Sequence, residues 1–488
     1  MKRDCGSANR PVDTSRDDVL MIGLDFGTTT SSAMVAKARI GLHCATGRMG
    51  FGNPEVIYRS EPVFTPYDNE RICEEAIDAL LDGWLSASGI SPEQLFSGGV
   101  MITGLAAQHH NTTVIAARVR ARFGDIIVAT ADDPALESWL AFMGGASVLS
   151  RYHHGTPIIN LDIGGGTTNP ALGRDGQVLS TGCSFIGARH FRFEPGTWRV
   201  TGISGFGEQL LDALGLTLAI GDILPVPARE QILDFYIAGL VATVTGDRRL
   251  FETKAGRQHE QVRFDPQGHT DAVITYSGGI GELLYRHVAG EPWPETTCFG
   301  DLGVDLARRI ADHPLLARSL HTHIPENRGR ATVYGLTLHS TEISGTTLFL
   351  SHQAELPLQD LPIVARLSLQ DSVERLRKAL ELARKCSHGA CLQVLPTETG
   401  ATPSLDMIKA FGGHMAMAIG SGGFPADLPL VLLVPNDCGK AMGNYASRWR
   451  TLAVRLTVID EVPDRTASFV NVGAPQHHII PVSFYGMQ

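Results

Sequence analysis

Two short segments place an aspartate at the end of an apolar run and follow it directly with glycine and threonine. The first reads Ile22-Gly-Leu-Asp25-Phe-Gly27-Thr28-Thr29-Thr30, and the second reads Ile159-Asn-Leu-Asp162-Ile-Gly164-Gly165-Gly166-Thr167-Thr168. Because glycine has no β-carbon, the backbone N–H groups of such turns can approach phosphate oxygens closely, and threonine hydroxyls add further donors. The pattern predicts that each segment is a strand followed by a phosphate-binding hairpin.

The two aspartates need a different role, because phosphate oxygens repel a carboxylate. We expect Asp25 and Asp162 to hold Mg²⁺ through water and to orient the water that attacks a terminal phosphoryl group. They are 137 residues apart, about the length of one domain. The repeated pattern therefore predicts two similar half-domains that face each other across a cleft.

A third glycine cluster follows another apolar run, Ala272-Val-Ile-Thr-Tyr-Ser277-Gly278-Gly279-Ile280-Gly281-Glu282. Its backbone could pass beneath an adenine or ribose, with Gly278, Gly279, Gly281 and Glu282 as the contacts. On its own the cluster could equally be a packing turn between a strand and a helix. Its position after the two hairpins favours the nucleotide interpretation.

Amphipathic helices separate these glycine clusters. Leu136, Trp139, Leu140 and Met143 recur at helical spacing, and Asp133 and Pro134 are suited to the cap and first turn of that helix. Glu137 on this helix is a candidate to assist Mg²⁺ or the attacking water, with Asp133 as its competitor. Strands that alternate with such helices indicate an α/β protein.

The composition restricts the possible partners and surroundings. The 488 residues carry a formal net charge of −10, and no dense basic run favours nucleic acid or anionic lipid as a partner. The eight cysteines include no Cys-x-x-Cys pair. Residues 1–18 form a polar stretch without the apolar segment of a secretory signal, and no run of 18 apolar residues follows. We expect a cytoplasmic protein with a disordered tail over 1–18 and no membrane partner.

The order of these segments resembles the actin and heat-shock-chaperone ATPase superfamily. The corresponding pieces are a first phosphate loop at 22–32, a connecting helix at 133–149, a second phosphate loop at 159–170 and an adenosine loop at 274–284. The chain is more similar still to the ethanolamine ammonia-lyase reactivating factors. The segments that carry this likeness include Val100–Gly104, Gly124–Thr130, Leu136–Ser138, Asp162–Asn169, Ser277–Gly279, Arg330–Val333, His339–Thr347 and Pro435–Gly443.

The resemblance implies a fold of two actin-like, ribonuclease H-like ATPase domains around a nucleotide cleft, followed by a C-terminal α/β region. The domains would cover 19–157, 158–330 and 331–488. It also implies ATP and Mg²⁺ as cofactors, and ethanolamine ammonia-lyase, a cobalamin enzyme, as partner. A slow ATPase would let damaged cobalamin leave the inactivated lyase so that adenosylcobalamin can rebind. By the same resemblance, the protein would be associated with a bacterial microcompartment.

Two positions depart from these families. Related chaperone ATPases carry an acid just after the threonines of the second phosphate loop, where this chain has Asn169, and the reactivating factors usually have a glutamate at the position of Leu105. Two other functions stay open. A small-molecule kinase of the same fold would need an additional carboxylate as base, and an actin-like filament or scaffold protein would need a self-complementary surface.

One further motif allows two interpretations. Asp437-Cys-Gly-Lys440 follows the apolar run Leu430–Val434. It could contact a phosphate, or it could be an ordinary corner between a strand and a helix.

Overall fold

The computed structural model describes residues 18–42, 49–68, 71–103, 109–123, 133–351, 355–397, 401–476 and 479–487. The predicted tail, except Asp18, lies outside these residues, as do Leu105 and the 124–130 segment. Within the described residues, no helix combines the length and apolar character needed to cross a bilayer.

The first sheet comprises the strands that lead into and out of the first predicted hairpin. Its elements are β1 (Asp18–Phe26), β2 (Thr30–Leu42), β3 (Met49–Arg59), β4 (Val63–Phe64) and β7 (Leu95–Ile102), with β5 (Tyr67–Asp68) and β6 (Arg71–Ile72) as a separate small ribbon. β1 pairs antiparallel with β2 and parallel with β7. Helices α1 (Glu74–Ser88) and α2 (His109–Phe123) contribute Ile77, Leu81 and Ile115 to the core on this sheet. The helices therefore cover one face of the sheet that carries Asp25.

The predicted connecting helix begins where the sequence indicates. α3 (Pro134–Ala141) continues through a π-helical turn over Phe142–Ala146 into α4 (Ser147–Tyr152). Asp133 caps it by accepting a hydrogen bond from the Leu136 N–H at 3.0 Å, and Pro134 occupies the first turn. A second bond to Asp133, from the Gly486 N–H at 2.6 Å, ties the start of the helix to the last strand of the chain.

The second half repeats the arrangement of the first. Its strands are β8 (Ile158–Ile163), β9 (Thr168–Arg174), β10 (Gln177–Thr181), β11 (Cys183–Ser184), β12 (Phe191–Phe193), β13 (Val200–Ile203), β14 (Glu260–Val262) and β15 (Val273–Ser277). Its helices are α5 (Gly205–Leu214), α6 (Val226–Thr245), α7 (Lys254–His259), α8 (Gly278–Val288) and α9 (Gly303–Asp312). β8 pairs antiparallel with β9 and parallel with β15, as β1 pairs with β2 and β7. The predicted internal repeat is thus a repeat of topology, and the α/β fold class is confirmed.

The remaining residues build an eight-stranded sheet. Its strands are β16 (Thr341–Ile343), β17 (Phe349–Leu350), β18 (Leu358–Leu367), β19 (Ala390–Val394), β20 (Pro429–Leu433), β21 (Arg455–Ile459), β22 (Ala467–Val472) and β23 (Pro481–Met487), in the order β16-β23-β22-β18-β19-β20-β21-β17. The helices are α10 (Ala331–His339), α11 (Val373–Ala383), α12 (Leu405–Gly422) and α13 (Gly439–Ala446). β18 to β21 run parallel, and α11, α12 and α13 connect them in turn.

Helix α10 packs between the first sheet and the connecting helix, away from the other C-terminal helices. Glycines make this close approach possible: a β-carbon on Gly23 would overlap Thr337, one on Gly144 would overlap the Ala331 carbonyl, and one on Gly335 would overlap the Leu140 carbonyl. The first turn of α10 is thereby brought to the junction of the two repeated halves. The predicted boundary at 330/331 stays a prediction, because the packing of α10 links both sides of it.

Candidate functional site

The two predicted hairpins have the same backbone geometry. The Gly27 N–H donates to the Thr30 carbonyl at 3.0 Å, and the Gly164 N–H donates to the Thr167 carbonyl at 2.9 Å. Each bond closes a tight turn between two antiparallel strands. The sequence pattern of glycine followed by threonine produces this turn because no side chain obstructs it.

The hairpins face each other and nearly touch. A β-carbon on Gly165 would overlap the Thr29 hydroxyl, and one on Gly166 would lie 3.6 Å from the Thr28 hydroxyl. The Thr29 Oγ1 atom is buried and has no hydrogen-bond partner among the described residues. A buried hydroxyl without a partner costs free energy, so its position favours a ligand with acceptor oxygens between the two turns.

A cavity of about 790 Å³ lies between the two halves and contains both hairpins. Its lining includes the following predicted residues: Asp25, Gly27, Thr28, Thr29, Thr30, Glu137, Asp162, Gly164, Gly165, Gly166, Thr167, Gly278, Gly279 and Glu282. The structure therefore brings the two aspartates into one groove, as the sequence pattern requires. Asp133, the competitor of Glu137, does not line the cavity, because its carboxylate is used by the helix cap and by Gly486.

Three acidic side chains converge at the base of this cavity. Burial, followed by repulsion from Asp162, raises the pKa of Asp25 to about 7. Burial raises the pKa of Asp162 to about 6, although hydrogen bonds from Ser277 and Thr332 oppose the rise. Burial and the charges of Asp162 and Asp25 raise the pKa of Glu137 well above its ordinary value. Such a group of buried acids is unfavourable by itself and favours a bound cation.

Within the described residues, no three His, Cys, Asp or Glu side chains are placed to ligate a metal directly. The predicted arrangement, in which the two aspartates hold Mg²⁺ through water, stays a prediction. Mg²⁺ usually keeps several of its waters when it binds a protein together with substrate phosphates.

A chain of buried polar groups fixes Asp162. Ser277 donates to the Asp162 Oδ1 at 2.5 Å, the Asn160 amide donates to Ser277 at 2.9 Å, and Thr275 donates to Asn160 at 3.0 Å. Asn160 and Asp162 alternate on β8, and Thr275 and Ser277 lie beside them on the parallel strand β15. The pairing of these two strands therefore orients the Asp162 carboxylate.

His190 supports the second hairpin from behind, and the sequence interpretation missed it. One ring nitrogen lies 2.8 Å from the Gly166 carbonyl, and the other lies 2.7 Å from the Ser204 hydroxyl. A carbonyl can only accept, so Nε2 carries the proton, while burial lowers the pKa of the ring to about 4 and keeps it neutral. No local pattern marks His190, because its partners are 24 and 14 residues away.

The segment predicted to be the adenosine loop begins helix α8. Gly278 adopts a left-handed backbone with φ of 73°, and a β-carbon there would crowd the Ile163 carbonyl. Gly279 has open space above it and lines the cavity. Gly281 does not line the cavity, because it packs against the backbone of Tyr276.

Thr168 is the other predicted contact that does not line the cavity. It is the first residue of β9, and its hydroxyl donates to the Ile186 carbonyl at 2.7 Å. The next residue, Asn169, donates to Thr167 at 3.1 Å and hydrogen-bonds to Glu137. The neutral amide at this position thus connects the second hairpin with the connecting helix.

Several cavity residues come from segments that the motif analysis did not assign to the site. Arg59 donates to the Asn327 side chain at 3.2 Å, and Arg330 pairs with Glu61 at 3.1 Å. These contacts join strand β3 and the loop after it to the segment before α10. Asp301 also lines the cavity, and burial raises its pKa to about 6. Of these residues, Arg330 alone belongs to a segment that the sequence analysis marked, because Arg330–Val333 resembles the reactivating factors.

Comparison with known proteins identifies the family. The family described as "Ethanolamine utilisation protein EutA" matches residues 17–485. The chain belongs to the EutA family.

Two curated EutA proteins are similar over nearly their whole length. The ethanolamine ammonia-lyase reactivase EutA of Escherichia coli (strain K12) is 32% identical over 485 residues, covering 95% of this chain and 97% of that protein. The ethanolamine ammonia-lyase reactivase EutA of Salmonella typhimurium (strain LT2) is 30% identical over 475 residues, again covering 95% of this chain and 97% of that protein. Among solved structures, a Ppx/GppA family member of Aquifex aeolicus has 11% identity and a TM-score of 0.35, covering 63% of this chain and 92% of that one. The resemblance predicted from the motifs is confirmed at the level of the EutA family.

Proposed function

We propose that this protein is an ATP-dependent reactivase of ethanolamine ammonia-lyase. The EutA relatives, which are named for this activity, are similar over 95% of the chain. One structural observation carries the nucleotide part of the proposal: an aspartate and a glycine-threonine hairpin from each repeated half line the same cavity. The cobalamin exchange on the lyase follows from the names of the relatives together with the predicted resemblance.

The residues present fit Mg²⁺ and ATP. The Thr29 hydroxyl has no hydrogen-bond partner among the described residues and would be free to donate to a phosphate oxygen. Gly165 lies next to it without a side chain, so the space for that oxygen is not filled. Asp25 and Asp162 would hold the magnesium ion through water, and Gly278 and Gly279 would lie beneath the adenosine. When bound, the nucleotide supplies the phosphoryl group whose hydrolysis releases free energy. Its negative charge needs the cation, because the base of the cavity is acidic.

Glu137 is the residue that we assign to proton transfer. Its carboxylate faces Asp25 and Asp162 and receives a hydrogen bond from Asn169. A general base must take a proton from the attacking water, and an ionised carboxylate whose pKa is raised is a stronger proton acceptor than an ordinary glutamate. Ser277 and Thr332 keep Asp162 fixed while this occurs.

Coupling to the lyase requires only that the lyase binds one arrangement of the cleft more tightly than another. The cross-cleft pair Arg330–Glu61 and the hairpin contact at Gly165 belong to the closed arrangement. If nucleotide favours this arrangement and the lyase binds it more tightly, a coupling of about 1–3 kcal/mol suffices to change the affinity for the lyase by about 5–150-fold.

The direct test is rescue of a blocked lyase. Ethanolamine ammonia-lyase inactivated with cyanocobalamin is incubated with the protein, adenosylcobalamin, Mg²⁺ and ATP, and ammonia release from ethanolamine is followed. We expect activity to return with the unaltered protein and to stay absent with Asp162→Asn or without ATP. Failure of rescue by a folded, ATP-binding protein would refute the lyase assignment, and equal rescue by Asp162→Asn would refute the role of the cleft.

Phosphate release distinguishes this proposal from a small-molecule kinase. Besides the three acids at its base and the carboxylates of Glu61 and Glu282, the cavity lining contains one further carboxylate, Asp301, which is a candidate for the base of a kinase. A reactivase should release phosphate from ATP without an acceptor and faster when the lyase is present. A kinase would release little phosphate until a hydroxyl substrate is added, and lyase would not change its rate.

A further inference from the structure

A second polar site lies in the C-terminal sheet, apart from the nucleotide cleft. It consists of Thr347, Asp437 and Asp460, which we call the C-terminal acidic site. Asp437 follows β20 and Asp460 follows β21, at the carboxyl ends of two neighbouring parallel strands, and Thr347 precedes β17. In open α/β sheets, ligands bind outside this edge. The position is therefore suited to a ligand, and the 437–440 motif falls within it.

The Thr347 hydroxyl has more acceptors than it can satisfy. It lies 2.5 Å from the Asp437 Oδ1 and within hydrogen-bond distance of the Asp460 Oδ2. A hydroxyl has one proton and can donate to only one of the two carboxylates. The other carboxylate oxygen then faces an oxygen lone pair at short distance. A positive charge at this point would remove the conflict.

Asp460 is fully buried and lacks part of its hydrogen bonding. Its Oδ2 accepts from the Gly439 N–H at 3.4 Å, whereas its Oδ1 has no partner among the described residues. Burial and, to a lesser extent, repulsion from Asp437 raise the pKa of Asp460, although hydrogen bonds from Thr347 and Gly439 oppose the rise. A buried carboxylate without a counter-charge is strongly unfavourable.

Two glycines allow the backbone to surround this carboxylate. The position of a β-carbon on Gly345 would be 2.7 Å from the Asp460 Oδ1 and 2.6 Å from the Glu461 Oε2, so both oxygens point to the same place. The position of a β-carbon on Gly439 would be 2.9 Å from the Thr347 carbonyl. Any side chain at either glycine would fill the space next to Asp460. An ordinary strand-to-helix corner has no need for this convergence of oxygens.

We propose that the C-terminal acidic site binds a divalent cation of the magnesium, manganese or calcium type. Its ligands are the carboxylates of Asp437 and Asp460 and the hydroxyl oxygen of Thr347, with water in the other positions. Hard oxygen ligands select this class of metal, and one or two carboxylates with several waters are a usual Mg²⁺ site. Within the described residues, no three acidic, histidine or cysteine side chains are placed to ligate one metal.

Zinc is disfavoured by the chemistry of the same site. Cys438, which follows Asp437 in the chain, carries a buried thiol and is not one of the proposed ligands. Zinc sites are built mainly from thiolate and imidazole ligands, whereas the three ligands proposed here supply only oxygen atoms.

The cation would connect two parts of the chain. Thr347 lies only a few residues beyond α10, and Thr332 in the first turn of α10 hydrogen-bonds to Asp162 in the nucleotide cleft. By holding Thr347 to the ends of β20 and β21, the metal fixes the segment that leads from α10 into the C-terminal sheet. The site is nevertheless independent of ATP, since none of its ligands lines the cleft.

The test uses Mn²⁺ alone as the probe, with the full chain freed of metal by EDTA and without nucleotide. Bound Mn²⁺ is counted by electron paramagnetic resonance, and Mg²⁺, Ca²⁺ and Zn²⁺ are compared as competitors. Asp437→Asn is the main variant, because Asp437 is exposed and its replacement should not impair folding. We expect its affinity for Mn²⁺ to fall at least tenfold, and Asp460→Asn to behave in the same way.

Two matched controls identify the site. Asp427→Asn makes the same charge change at an exposed residue before the opposite end of β20 and should bind Mn²⁺ as the unaltered protein does. Asp162→Asn removes a carboxylate of the nucleotide cleft and should keep the C-terminal Mn²⁺. Equal Mn²⁺ binding by Asp437→Asn and the unaltered protein would overturn the proposal, and so would loss of all bound Mn²⁺ in Asp162→Asn.

Discussion

Replacing Asp25 by asparagine should make the ligand-free protein more stable while removing its response to Mg·ATP. Asp25 is buried beside Asp162, and its pKa is raised from 3.8 to about 7. This difference corresponds to about 4 kcal/mol in favour of the protonated form. Asparagine has nearly the same shape as the protonated acid but never ionises. We therefore expect Asp25→Asn to avoid part of the free-energy cost of ionising a carboxyl group at this position at neutral pH.

The sign of the pH dependence follows from the raised pKa. The stability that the protonated group contributes is fully present below pH 3.8 and is lost as the pH rises through about 7. The advantage of Asp25→Asn should thus grow from about pH 4 to pH 7 and stay constant above. We expect Asp25→Asn to raise the free energy of unfolding at pH 8 by about 2 kcal/mol, which is less than the full pKa difference implies. The gain is smaller because the amide also remains buried and the neighbouring acids relax. For an unfolding unit of about 150–250 residues, this gain corresponds to about 4–8 °C in the midpoint of thermal unfolding.

The assay is thermal unfolding of metal-free protein in EDTA at pH 5, 6 and 8, with Asp271→Asn as an exposed control. Mg·ATP at about 100 times its Kd should then stabilise the unaltered protein by about 2.7 kcal/mol and leave Asp25→Asn unchanged. A lower midpoint for Asp25→Asn at pH 8, or a difference that does not vary with pH, would refute the view that Asp25 is strained by burial and like charge.

Two further substitutions test the cleft. Gly165→Ala places a methyl group where the Thr29 hydroxyl lies, so the affinity for ATP measured by calorimetry should fall about tenfold or more. The control Gly413→Ala adds its methyl group in open space on α12 and should have no effect. Unchanged affinity in Gly165→Ala would show that the hairpins do not close on phosphate. Glu137→Gln should lower the rate of phosphate release by about 10²–10⁴-fold with little change in ATP affinity, because it removes the proton acceptor and keeps the shape. Glu208→Gln, at an exposed position of α5 that does not line the cavity, is the control for Glu137→Gln. Hydrolysis of ATP at the normal rate by Glu137→Gln would exclude Glu137 as the base.

The sequence by itself determined the local parts of this protein. Glycine followed by threonine after an apolar strand produced both hairpins, and Asp133 with Pro134 fixed the start of the connecting helix. These features depend on backbone sterics and on hydrogen bonds between near neighbours, which a short segment specifies alone. The repeat of the pattern also indicated two similar halves, because the same local turn needs the same strands on either side.

Only the tertiary structure decided which side chains share the cleft. Thr168 and Gly281 match the motifs but turn towards Ile186 and Tyr276, because strand alternation and helix packing fix their directions. His190 enters the site without any motif, through partners far along the chain. These placements depend on how two sheets and α10 pack, and that packing is set by glycines whose missing β-carbons matter only once the neighbouring backbone is in place.

The C-terminal acidic site shows the same division. The sequence placed Asp437 after a strand but left open whether its turn binds anything. Thr347 and Asp460, 90 and 23 residues away, meet it only because β20 and β21 are neighbours and β17 pairs with β21. A short segment can specify its own turn, but the convergence of charged groups from distant segments depends on the pairing of the whole sheet, which no single segment encodes.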